Sequence, residues 1–277
     1  MPRGKKNIDE QIAALYYTAQ EAQEKLGMKR DKFNHYVRRG VIHNIPFLSG
    51  YGYYKKTEID ALAQEIEEFL DIGHRLFTYR RATLQDLDAE IALAALNYGK
   101  KKAEVTRKAR MLYLQANPEI THYLLRDNQI VAAFTMAPLT HDAIMAYREE
   151  QINGLGAQAY QIHLFEPGER LECVIINIMT TTKVTLDQRH RYAATLLRNF
   201  TKITLREWAM RGVDIATVDA RAGSDEGEKL LRQAGFRISS SDNHEHKAYH
   251  LDIDASDAYF LREYKELLAE WKRQHEK

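Results

Sequence analysis

Cysteine is almost missing from this chain of 277 residues: there is one, Cys173. No internal disulfide can form, and the apolar setting "CVIINIM" marks that cysteine as a small buried hydrophobe rather than a nucleophile. Long apolar runs are missing as well. "CVIINIM", at 173–179, falls far short of the roughly 20 residues a membrane helix needs. The start "MPRGKKNIDEQ" is basic but has no apolar core behind it, so it does not read as a secretory signal. These absences predict a cytoplasmic protein with no membrane partner. There is also no Walker loop, no Rossmann fingerprint and no GxSxG elbow, so the function classes those motifs carry have no support.

What is present is ordinary for a folded protein: 44% hydrophobic and 29% charged residues, over a length that leaves one large domain or two smaller ones open, with two favoured. The net charge of +1 hides a local excess. Between Lys25 and Lys56 stand eight lysines or arginines against the single acid Asp31, a local charge of +7, whereas residues 71–277 balance at 29 against 29. A basic patch confined to one small segment suits a module that meets a polyanion, and equally a solvated charged face.

Within that segment, "YYTAQEAQEKLG" carries a helix start, with Thr18 as N-cap and Glu21 three residues on. Ala22 and Leu26 form its apolar stripe, and Gly27 stops it. "MKRDKFNHYVRRG" follows, with Phe33 and Val37 turned toward the first helix and Gly40 at its end. Two short helices joined by a Gly-containing turn make a helix-turn-helix. The opposite face of the second helix holds Asp31, His35 and Arg38, flanked by Lys32, Asn34 and Arg39, side chains able to reach phosphates or base edges. Then "VIHNIPFLSGYGYYKKTEIDALAQEIEEFL" reads as two short strands around "SGYG" and a helix capped by Thr57. The hairpin, with Tyr53, Tyr54, Lys55 and Lys56, reads as a basic wing. Over about 55 residues, the "A..LG" turn, the "RRG" helix end and "YY.K.EID" resemble the winged helix-turn-helix of the MerR and phage-excisionase type. The resemblance implies binding of double-stranded DNA, with Lys29, Arg30, Lys32, Asn34, His35 and Arg38 on the groove side and Tyr53 and Lys55 on the wing. Asp31 departs from the family's usual neutral residue; it either accepts from a cytosine amino group or caps the helix, and the cap is favoured.

After a short linker, "DIGHRL", the pattern changes. Strand "LFTYRRAT", a helix capped by Thr83 and a basic helix over 103–116 come first. A strand pair joined at Asp127 and Asn128 follows, then an insertion over 139–170 with a helix near 141–151. Central strand "RLECVIINIMTTT", a long helix over 189–211, strand "DIATVDA", helix "SDEGEKLLRQAG" and strand "HKAYHLDI" complete an α/β order around one sheet. With "QAGF" at 233–236, where a "LGF" turn is usual, residues 76–253 resemble the GNAT acyltransferase fold. The fold class expected is therefore α/β (α+β): a small winged helix-turn-helix followed by a GNAT-like mixed sheet flanked by helices. The expected divisions are a tail over 1–15, the winged unit over 16–72, the GNAT-like domain over 73–255 and a C-terminal amphipathic helix over 256–277. That last helix presents Phe260, Tyr264, Leu267, Leu268 and Trp271 on one side. It either packs on its own domain or pairs with a second copy.

The resemblance implies a QxxGxA loop for the pyrophosphate of acetyl-coenzyme A at the start of the long helix, where free N–H groups and the helix dipole favour anions. In "QRHRYAATLL" Gln188 and Ala193 match and Arg191 replaces the glycine, with Arg189 and His190 keeping the region cationic. The general-acid tyrosine of many members corresponds to Leu231, which cannot donate a proton. Glu172 is a carboxylate that a proper pocket could use as a base. His141 with Asp142, and His244, His246 and His250, invite a metal reading that lacks supporting ligands, so no metal is expected. No cofactor is expected either, with acetyl-coenzyme A the alternative through Gln188, Arg189, Arg191 and Ala193.

The leading expectation is thus a dimeric, bacterial-type DNA-binding transcriptional regulator. Its GNAT-like domain acts as a sensor of a small-molecule or acyl-coenzyme A effector, or as a dimerisation unit, without acetyl transfer. The alternatives are an active acyl-coenzyme A-dependent N-acetyltransferase with a DNA-targeting module, and an excisionase-like architectural protein of a mobile element.

Overall fold

Thr18 closes a strand and opens a helix. In this computed structural model, which describes residues 14–46, 52–63, 77–239 and 247–275, strand β1 (Tyr16–Thr18) runs directly into helix α1 (Ala19–Leu26). The Thr18 hydroxyl accepts the Glu21 N–H at 3.3 Å and the Glu21 carboxylate accepts the Thr18 N–H at 2.8 Å, a complete capping box that satisfies otherwise free donors. Gly27 ends α1 at φ 60°, and its N–H closes onto Gln23 and Glu24, a left-handed cap that costs glycine little. Helix α2 (Arg30–Arg38) follows after a short turn. Asp31 lies inside the first turn of α2, and Lys29 occupies the N-cap position without a side-chain bond. The aspartate therefore meets the positive end of the helix dipole instead of capping the helix. Strands β2 (Ile45–Pro46) and β3 (Gly52–Lys55) pair antiparallel, and β1 pairs with the other side of β3. Helix α3 begins at residue 56, one residue ahead of the expected cap Thr57. Ala22, Phe33, Ile42 and Ile59 are sealed in this unit's core. Tyr54 belongs there too, edge-on to Phe33 at 4.9 Å, not on the wing surface beside Tyr53. The period-2 alternation of a strand sends neighbours to opposite faces. Most of the expected "SGYG" tip, and the "DIGHRL" linker, lie outside the described residues.

The chain divides into two units, Met1–Leu76 and Phe77–Lys277. The second unit is a mixed sheet flanked by helices, in the element order expected from the sequence apart from an added short strand at Arg237–Ile238. Strand β4 (Thr78–Arg81) precedes α4 (Leu87–Tyr98), α5 (Lys100–Val105) and α6 (Arg107–Ala116). Strands β5 (Thr121–Arg126) and β6 (Gln129–Leu139) form a hairpin. Its turn residues Asp127 and Asn128 both adopt positive φ, 50° and 61°, as the favoured two-residue hairpin turn requires and as Asp and Asn tolerate. Helix α7 (His141–Arg148) leads to the central β7 (Arg170–Thr180), and helix α8 (Leu186–Asn199) continues through a π-helical stretch, Phe200–Leu205, into α9 (Arg206–Met210). Strand β8 (Asp214–Arg221), helix α10 (Asp225–Gln233), strands β9 (Arg237–Ile238) and β10 (Ala248–Asp252), and helix α11 (Arg262–His275) complete the unit.

Its seven strands lie in the order β4-β5-β6-β7-β8-β10-β9. All neighbours are antiparallel except β7 and β8, whose parallel pairing ends at Ile175↔Ala220. Among the described residues, 176–180 of β7 therefore have no pairing on the β8 side, and the sheet opens there. Helix α11 packs on this unit, because Tyr264 and Leu268 join its core and the Tyr264 hydroxyl donates to Val213 O at 2.9 Å and accepts from Ile215 N at 2.7 Å. Gly212, at φ +80°, lies so close under Trp271 that a Cβ there would stand 2.3 Å from the indole. Among the described residues no helix is long and apolar enough to cross a membrane.

Candidate functional site

Helix α2 turns its charged face outward because Phe33 anchors the other face. Lys29, Arg30, Lys32, Asn34, His35 and Arg38 are all exposed, as is Lys55 on β3, while Tyr53 is half-buried. Arg38 Nε donates to Asn34 O at 3.3 Å, and the Lys32 ammonium stands 5.9 Å from the centre of the Tyr36 ring. None of Lys29, Arg30, Lys32, Arg38 and Lys55 is ion-paired with a described carboxylate. Two nearby acids pair elsewhere: Asp60 faces Lys25 at 3.6 Å, and Glu58 takes the His43 ring at 2.8 Å. The result is a row of cations without ion pairs, broken by the exposed Asp31, on one short helix and the adjoining strand.

In the second unit, Thr185 caps α8 with a reciprocal box, its hydroxyl accepting Gln188 N–H at 3.3 Å and the Gln188 side-chain Oε1 accepting Thr185 N–H at 3.2 Å. The helix thus starts ahead of Gln188, and Gln188 through Ala193 lie inside it. From Arg189 onward the backbone N–H groups donate within the helix, Arg189 to Thr185 O at 3.0 Å. These residues therefore do not offer the consecutive free amides of a pyrophosphate cradle. They offer side chains instead. Arg189 Nε donates to Thr180 Oγ1 at 3.1 Å, Arg191 is exposed and Ala193 is half-buried. Leu231 is buried in the apolar core, and no proton donor stands at that position.

The sheet face beneath α7 carries a polar array that the sequence disclosed only in part. Glu172 opposes Thr217, and His250 opposes Asp219, across neighbouring strands. Asp219, almost wholly buried, accepts both prongs of the Arg148 guanidinium at 2.9 and 2.8 Å, and His250 Nδ1 stands 3.2 Å from its carboxylate. This charged, bidentate bond to Asp219 raises the pKa of Arg148. Glu172 Oε2 lies 2.7 Å from His141 Nδ1, so this carboxylate orients an imidazole that is 67% exposed, the composition of a general acid–base couple. Arg221 donates to Tyr147 O and lies 4.5 Å over the Tyr147 ring. Where β7 parts from β8, Asn177 is buried with neither amide atom bonded among the described residues. Cys173 is fully buried, and burial raises its thiol pKa far above the usual range.

Sequence reasoning picked out Glu172 as a possible base, and His141 (with Asp142) and His250 (with His244 and His246) only as metal readings. It missed Arg148 and Asp219, whose one signal was a charged residue inside the apolar strand "DIATVDA". His244 and His246 lie outside the described residues, and among those described no three His, Cys, Asp or Glu side chains converge as a metal site.

No protein-family model matches the chain, and no curated protein matches it. Solved structures similar to it include an acetyltransferase of the GNAT family from Bacillus cereus, 13% identical, covering 64% of this chain and 96% of its own, with a TM-score of 0.40. Two others are the loading GNATL domain of CurA from Lyngbya majuscula (12% identity, 65% and 99% coverage, TM-score 0.44) and the GphF GNAT-like decarboxylase in complex with isobutyryl-CoA (16%, 63% and 98%, TM-score 0.43). At these identities and scores no activity passes from them to this chain.

Proposed function

We propose that this protein is a DNA-binding transcriptional regulator, whose first unit reads double-stranded DNA as a winged helix-turn-helix and whose second unit serves as a sensor or dimerisation unit. The observation that carries the proposal is the outward face of α2, where Lys29, Arg30, Lys32, Asn34, His35 and Arg38 stand exposed while Phe33 holds the helix to its core. Exposed, unpaired cations beside amide and imidazole groups suit a polyanion that also presents base edges. Two copies on a two-fold operator are the expected arrangement.

Fluorescence anisotropy of the full chain on genomic fragments, including its own upstream region, tests this as salt is varied. If Lys29, Arg30, Lys32, Arg38 and Lys55 each neutralise one phosphate, the plot of log K against log salt has a slope of about −4.5 per protomer. Lys32→Ala lowers that slope in magnitude by about 0.9. Absent or salt-insensitive binding, with Lys32→Ala and Arg38→Ala changing nothing, would overturn the proposal.

A second reading, an active N-acetyltransferase carrying a DNA-targeting module, is favoured by one observation, the couple of Glu172 and His141 at 2.7 Å. It requires acetyl-coenzyme A to bind, so calorimetry showing no heat at high ligand concentration removes it.

A further inference from the structure

Between α8 with its π-helical stretch, α10 and the C-terminal segment lies a cavity of about 680 Å³, well within the range of small-molecule sites. Its floor is sheet: Phe134 and Met136 of β6, Ile175 and Ile178 of β7, Val218 of β8. Phe260, Leu261 and Tyr264 close it from the C-terminal side. Water in such a space would find few of the 2–4 polar partners that hold a buried water, so the interior favours an apolar occupant.

Charged groups line it as well. Arg198 and Lys202, four residues apart on adjoining turns, both line the cavity, and neither has a partner among the described residues. Arg262 lies nearby over the Tyr259 ring. Of the two acids in the lining, Glu263 is taken by Arg206 at 3.0 Å, which leaves Glu266 against three cations. The backbone supplies an independent sign. Phe200, Thr201, Lys202 and Leu205 all belong to the six-residue π-helix Phe200–Leu205, a rare, widened winding found mostly at functional sites.

We propose that this cavity binds a single-chain aliphatic carboxylate, with the chain over the sheet beneath Phe260 and the carboxylate against Arg198 and Lys202. The site stands on the second unit's own geometry and holds whether or not the first unit reads DNA.

Calorimetric titration of the full chain, without DNA, with dodecanoate and with dodecan-1-ol below their aggregation thresholds tests it. One dodecanoate is expected to bind per chain, with dodecan-1-ol at least about tenfold weaker for want of the charge-assisted contact. The double variant Arg198→Glu/Lys202→Glu, which alters no core residue, should weaken dodecanoate by about the same factor and leave dodecan-1-ol unchanged. Filling the space by Leu230→Trp, or by Ile178→Phe should the first fail to fold, should abolish binding of both. Absence of saturable dodecanoate binding, undiminished binding by a folded cavity-filling variant, or equal affinity for acid and alcohol would overturn the proposal.

Discussion

Acidification should loosen the second unit through one side chain, His122. Its ring is fully buried, stacked parallel to Tyr79 at 5.7 Å and edge-on to Phe200 at 5.1 Å, with Nδ1 3.0 Å from the Tyr79 hydroxyl oxygen. Nε2 has no partner among the described residues. Burial above all, and then the charge of Arg81, lower the ring's pKa to about 3 from 6.5. Between those two values the unfolded chain takes up a proton that the folded chain refuses. Stability from this residue is therefore complete above about pH 6.5 and declines as pH falls toward 3, at up to about 1.4 kcal/mol per pH unit. From pH 7 to pH 5 the loss is about 2 kcal/mol. In His122→Phe the aromatic volume stays and the titration goes. Urea unfolding followed by the fluorescence of the buried Trp208 should show wild type losing about 2 kcal/mol more than His122→Phe over that interval. Parallel pH profiles for the two proteins would refute the account.

Two packing predictions follow. Glu90 and Arg110 form an ion pair in which both side chains are almost wholly buried, and the Tyr123 hydroxyl donates to the same carboxylate at 2.7 Å. Arg110→Met strands that carboxylate and should cost about 3–5 kcal/mol in urea unfolding; a loss under about 1 kcal/mol would show that water reaches Glu90. Gly212→Ala places a Cβ against the Trp271 ring at a positive φ, and should cost about 1–3 kcal/mol through a lower melting temperature. An unchanged melting temperature would mean that α11 is not held there.

By itself the sequence determined what depends on neighbours within a turn or two. The Thr18–Glu21 box, the left-handed stop at Gly27, the Asp127–Asn128 turn and the outward α2 face all rest on hydrogen bonds or spacings of four residues or fewer. They were legible without a fold, as was the strand and helix order of the second unit. Short range also set the errors. Whether Gln188 begins a phosphate loop or stands inside a helix turns on where the helix starts, and Thr185, three residues upstream, decides it. The assignment of Tyr54 to the wing failed for the opposite reason: Tyr54 and Tyr53 differ only in the face of β3 they occupy, and Phe33, on a separate helix, selects it. What only the tertiary structure decided are the encounters across long sequence distances. Asp219 meets Arg148 from 71 residues away and His141 meets Glu172 from 31. The cavity collects its walls from Phe134 to Glu266. No local rule encodes such meetings, because they follow from which faces the sheet and helices must bury together.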